Sequence, residues 1–302
     1  MSCHPSFASF APSRPITRSI SARRCLSGHH SSQRSKRPLT VSARSNKSAF
    51  RLVKDLQSRL ENAADPSERY WMERYLRNEL PCRGLHIPVV VGTVKKWAKD
   101  HQLSNRTSTS SDIAFDERVL RAMFESPFSE DKIAATVYAN AVMLPSGTLN
   151  LDRLALFEEL FAEDLIRPWS TVDSLCGRVL CKMIGAHGDE VVHRISSWKS
   201  AENVWKARSS VVAFIKHAKN ERYRDQIWEN SSCVIKRPER FAKTSVGWIL
   251  REVSKHDEGF MLRFVEQFKT HMSLEAVRNA TKYCEVDTKK RLVQMVKDSC
   301  SD

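Results

Sequence analysis

Trp169-Ser170-Thr171-Val172-Asp173 leads into an amphipathic helix, and so do two later stretches, Val204-Trp205-Lys206-Ala207-Arg208 and Ala242-Lys243-Thr244-Ser245-Val246-Gly247-Trp248. They recur at intervals of roughly 36 to 40 residues, a period that suits paired-helix repeats. Such a pair cannot bury its apolar face alone, so neighbouring pairs stack into an array with a concave binding side. The expected fold is an all-α solenoid of paired antiparallel helices around a concave groove.

Outward from these stretches the pattern stays helical. From Ala49 onward apolar residues recur every three or four positions, broken at Pro, Gly or Ser-Asp clusters, and strand signals are absent. The periodicity predicts helices over 49–63, 67–80, 88–101, 114–125, 130–143, 151–165 and 170–184. It continues over 188–197, 201–218, 221–230, 238–254, 257–270, 273–283 and 287–298, with 104–112 as a loop. Nothing approaches the roughly 18 consecutive apolar residues of a membrane helix.

The net charge of +14 is unevenly placed. Residues 1–50 carry 9 Lys and Arg and no acid, leaving 49 − 9 = 40 bases against 35 acids, or +5, on the rest. Basicity therefore describes mainly the leader, and a nucleic-acid role for the body needs its own argument. Residues 1–47, rich in Ser and Arg and without an apolar h-region, are expected to be a cleavable targeting peptide, with 48–302 as the folded domain. Arg24-Cys25-Leu26-Ser27 resembles a mitochondrial processing site, so mitochondrion is the expected compartment, with plastid and nucleus as alternatives. The eight cysteines form no Cys-x-x-Cys pair and match no His spacing, so no metal site is expected.

Trp169 and Asp173, four apart, share one helix face and offer an indole beside a carboxylate. Arg208 and Trp248 fall at equivalent edges of the next two repeats, so stacking brings all four to one surface. Blander readings exist. Ser170 to Asp173 fits a capping box in which Asp173 accepts the first helical N–H groups. Trp248 alone is compatible with core, and Arg208 with a solvated helix face.

Four ordered stretches resemble the DNA alkylation repair (AlkD-like) family over about residues 49 to 285. They are Arg74-Tyr75-Leu76-Arg77-Asn78 with Gly84 and Pro88, then Pro168 to Ser174, then Trp198 with Asn203 to Arg208, and last Arg240-Phe241 through Gly247-Trp248-Ile249-Leu250-Arg251-Glu252. The resemblance implies HEAT-like, ARM-type repeats and a DNA glycosylase that excises cationic N3- and N7-alkylated purines. It places the catalytic carboxylate on Asp173, the groove indoles on Trp169 and Trp248, and DNA contacts on Arg208 and Tyr75. Lys243 and Arg251 lie in or beside the same motifs and are further DNA-binding candidates. Pro168 and Ser170 depart from the family pattern where it has Trp and Asp. The expected partner is double-stranded DNA with alkylated bases, bound by a monomer that needs no cofactor, metal or membrane. The alternative is a non-catalytic helical-repeat scaffold that binds nucleic acid or protein on the same face.

Overall fold

The structure, a computed structural model, describes residues 41–103 and 108–299. Within them α1 (Val41–Asn62), α2 (Pro66–Tyr75), α3 (Ile87–Asp100) and α4 (Ser110–Phe124) come first. Next, α5 runs Ser129–Tyr138 and continues through a π-helical turn, Ala139–Met143, into Leu144–Ser146; α6 is Leu154–Ala162. Helix α7 behaves like α5, with Trp169–Leu175, a π-turn at Cys176–Leu180 and then Cys181–His187. The rest are α8 (Asp189–Ser197), α9 (Val204–Val212), α10 (Arg224–Val234), α11 (Arg240–Ser254), α12 (Glu258–Phe268), α13 (Leu274–Ala280) and α14 (Val286–Asp298). The described residues contain no strand, and the all-α expectation holds.

The helices form two rows. In one, α3, α5, α7, α9, α11 and α13 pack side by side, each on the next; α4, α6, α8, α10, α12 and α14 lie behind them, with α1 packed on α3 and α4. The core runs through the interface, with Tyr138, Phe157, Phe161, Trp198, Phe214 and Phe264 fully enclosed. Polar ties repeat at the same period: Arg153 to Glu117 and Arg194 to Glu158 each span 36 residues, Arg208 to Asp173 and Arg240 to Glu275 each span 35. A bond that recurs one repeat apart is how stacked units fix their register.

Two glycines mark close approaches. A Cβ on Gly247 would stand 2.5 Å from the Ala276 carbonyl oxygen, so only glycine lets α11 cross α13 this closely. Gly84 has φ +91, and its Cβ would meet the Asp65 carbonyl oxygen at 2.0 Å.

Several ends differ from the expected ones. Helix α2 stops at Tyr75 because Arg77 and Asn78 take left-handed φ values of 57. Helix α9 begins only after Asn203, whose side-chain Oδ1 accepts from Trp205 and Lys206 N–H, and it ends at Val212 ahead of a separate 3-10 turn, Ile215–His217. The leader expected over 1–47 lies outside the described residues as far as 40. Residues 41–47 belong to α1, where no Pro or Gly interrupts the run back from Ala49. The candidate cleavage site at 24–27 and residues 104–107 of the expected loop also lie outside the described residues.

Candidate nucleic-acid interface

Pro168, not Ser170, caps the N-terminus of α7, and no side chain accepts a bond from that first turn. The capping-box reading of Asp173 therefore fails: Ser170 Oγ and Thr171 Oγ1 have no partner. Asp173 instead faces α9. Arg208 Nε donates to its Oδ1 at 2.9 Å and Nη2 to Oδ2 at 2.9 Å, a two-pronged pair that locks the carboxylate plane. The Arg208 side chain is 5% exposed and that of Asp173 15%. Nη1 of Arg208 reaches α11, donating to the Phe241 carbonyl at 2.7 Å and to Thr244 Oγ1 at 3.3 Å. One guanidinium thus joins three successive repeats at the carboxylate.

Two adjoining cavities of about 590 Å³ each open on Asp173 and share Tyr75, Trp169, Asp173 and Trp248 in their walls; Arg208 lines one of them. Trp169 packs edge-on against Tyr75, with ring centroids 5.3 Å apart, and Tyr75 stacks on Trp71 at 5.3 Å with planes 8° apart. On the opposite wall the Arg251 guanidinium lies over the Trp248 ring at 5.9 Å. The result is a carboxylate flanked by indoles in an open groove. The lining bases are Arg77, Arg178, Arg208, Lys216, Arg240 and Arg251, against the acids Asp173 and Glu275, so the groove is electropositive although the body is nearly balanced.

Five of the expected residues therefore meet: Asp173, Trp169, Trp248, Tyr75 and Arg208. Arg251 lines the groove too, but its donors are engaged, with Glu252 Oε1 at 2.9 and 2.7 Å and Asn279 Oδ1 at 3.0 Å. Lys243 points elsewhere, its ammonium donating to the His271 carbonyl at 2.7 Å. Arg208 is not a solvated helix charge: its fork is taken up by Asp173, because the 35-residue spacing puts the two in register across one repeat.

Sequence reasoning missed Arg77, Trp71, Arg178 and Lys216. Trp71 had a signal, four residues before Tyr75 on one face of α2. Arg178 is five from Asp173, a spacing that an ordinary α-helix sends to another face. Among the described residues no group of three or more His, Cys, Asp or Glu is placed to hold a metal ion, and no helix is long and apolar enough to cross a membrane.

The family model for DNA alkylation repair enzymes matches residues 56–284. No curated protein matches the chain. Among solved structures, one described as a predicted DNA alkylation repair enzyme from Enterococcus faecalis is similar with a TM-score of 0.62 at 17% identity, over 74% of this chain and 97% of that one. At that identity the likeness speaks for the fold.

Proposed function

The chain belongs to the DNA alkylation repair enzyme family, which supports a role in DNA repair, and we propose that it is a glycosylase that hydrolyses the N-glycosidic bond of cationic N3- and N7-alkylated purines in duplex DNA. The observation that carries this reading is the Asp173 carboxylate, fixed by the Arg208 fork at the floor of an electropositive groove between Trp169 and Trp248.

An alkylated purine that already bears positive charge is a good leaving group, so the reaction needs little protonation of the base. What it needs is stabilisation of the cationic character that develops on the deoxyribose. Asp173 supplies a fixed negative charge there. Each carboxylate oxygen has two lone-pair positions, and Arg208 takes one on each, leaving the others to orient a water or face the sugar. Pre-alignment by Arg208 means that no reorganisation is required as charge builds. The faces of Trp169 and Trp248 suit a cationic nucleotide through their ring quadrupoles. In an open groove the lesion reacts without being enclosed, unlike a base flipped into a pocket. The same proposal includes a mitochondrial location, with plastid and nucleus as alternatives, supported by the acid-free, Ser- and Arg-rich leader.

The test uses the full chain and a duplex carrying one N7-methylguanine, with abasic sites measured in single turnover. Wild type is expected to form them, and Asp173→Asn to be slower by roughly 10²- to 10³-fold, the usual effect of removing one fixed electrostatic stabiliser. Unchanged excision by Asp173→Asn overturns the role of the carboxylate. Wild type that binds duplex but never excises would leave the scaffold reading in place.

A further inference from the structure

Three of the cations in the groove already have partners. Arg208 holds Asp173, Arg251 holds Glu252 and Asn279, and Arg240 holds Glu275. Arg178 and Lys216, which line the cavity beside Asp173, lie within salt-bridge distance of no acid among the described residues.

The π-turn Cys176–Leu180 explains how Arg178 arrives there. With one residue more per turn, positions five apart come onto one face, so Arg178 joins Asp173 at the groove. A relay of hydroxyls then aims it. Arg178 Nε donates to Ser174 Oγ at 3.1 Å. Ser174 lies 2.6 Å from Thr136 Oγ1, whose own hydrogen goes to the Ile133 carbonyl at 2.7 Å, so Ser174 donates to Thr136 and keeps a lone pair for Arg178. Both Nη groups remain available. Lys216 sits on the turn Ile215–His217, which is tied to α7 by His217 Nε2 at 2.7 Å from the Cys181 carbonyl oxygen. A half-buried guanidinium without an acid is unfavourable in the free protein, and burial alone pushes the Arg178 pKa below the usual arginine range. An incoming anion relieves that penalty.

We propose that Arg178 and Lys216 form a phosphate seat that holds the DNA backbone next to Asp173. This rests on the glycosylase reading for its ligand, and deepens it by assigning to these two residues the DNA contact that the family resemblance placed on Arg208. The planar fork of Arg178 suits two phosphate oxygens, and Lys216 adds a point charge on a flexible stem.

The test measures binding of the full chain to an undamaged duplex by fluorescence anisotropy across a salt series, alongside the excision assay. Each phosphate contact contributes about 0.9 to the slope of log affinity against log salt. Arg178→Gln and Lys216→Gln are each expected to weaken binding about five- to tenfold near 0.1 M salt and to reduce the slope by about one; the double variant reduces it by about two. Arg178→Lys keeps the charge and should restore the slope. If both Gln variants bind with wild-type affinity and slope while wild type excises, the seat is wrong and the glycosylase reading stands. If wild type neither binds duplex nor excises, both fall. Should Arg178→Gln lower the melting temperature, Lys216→Gln, on an exposed turn, decides alone.

Discussion

The centre of the groove and its N-terminal rim are built on opposite principles. At the centre, α7, α9 and α11 meet through Arg208, which is 4% exposed and engaged on all sides. At the rim, α2 buries none of its residues, and Tyr70, Trp71 and Tyr75 stand 66%, 57% and 57% exposed. What holds α2 is the chain around it. Asp65 caps its start, the Glu73 carboxylate accepts from Cys82 N–H at 3.0 Å, and the Glu130 carboxylate on α5 accepts from the N–H groups of Arg83, Gly84 and Leu85. Beneath it lies an almost wholly apolar pocket of about 190 Å³ between α2, α3 and α5. The difference separates two tasks: a charge must be fixed to act on a transition state, whereas an aromatic edge works by conforming to what it meets.

Breaking the centre should have the largest effect. Arg208→Gln leaves Asp173 without its fork and is expected to lower stability by about 3 to 5 kcal/mol, as for other broken buried pairs, together with excision. Urea denaturation and single-turnover kinetics check both. A variant that loses excision and keeps full stability would mean that the centre is less rigid than its contacts imply.

A second, smaller effect comes from Lys132, a buried amine on α5 that donates to the carbonyls of Phe124 and Leu165. Burial first, then the nearby Arg167 charge, lowers its pKa to about 8. The folded state thus holds the proton less tightly than the unfolded chain, so this group's penalty is full below pH 8. It is relieved as pH rises from about 8 toward the ordinary lysine value, by on the order of 2 kcal/mol. A neutral amine still has two N–H groups for its two carbonyls. Urea midpoints at pH 8 and pH 10 should therefore rise more in wild type than in Lys132→Met, and equal changes would refute the assignment.

The smallest effect on stability is expected at the rim. Trp71→Ala should change it by under about 1 kcal/mol, since the ring is mostly exposed, while weakening the hold on lesion-bearing duplex. A much larger loss of stability would make α2 part of the core and erase the contrast.

Much of this was legible in the residues. Apolar periodicity located every helix from α1 to α14, and the spacing of Trp169, Asp173, Arg208 and Trp248 brought them to one groove. Partnerships were harder to see. That Arg208 would turn inward to Asp173 depends on the register between stacked repeats, which no local pattern encodes. The partner of Lys243 is hidden for the same reason: its position on α11 is readable from the sequence, but the His271 carbonyl that its ammonium meets belongs to the next unit. Arg178 stayed hidden because helical face assignment assumes a uniform turn.

The two π-turns, on α5 and α7, have a consequence for length. A residue added to an α-helix would rotate everything beyond it onto a new face, unless a widened turn absorbs it and leaves both flanks in phase. The inner helices begin at 87, 129, 169, 204, 240 and 274, so the longest intervals fall where the chain passes into and out of α5, and the later ones tighten. Ala139–Met143 and Cys176–Leu180 each take up such a residue within an inner helix, so the side chains on either side of the turn keep their bearing on the groove.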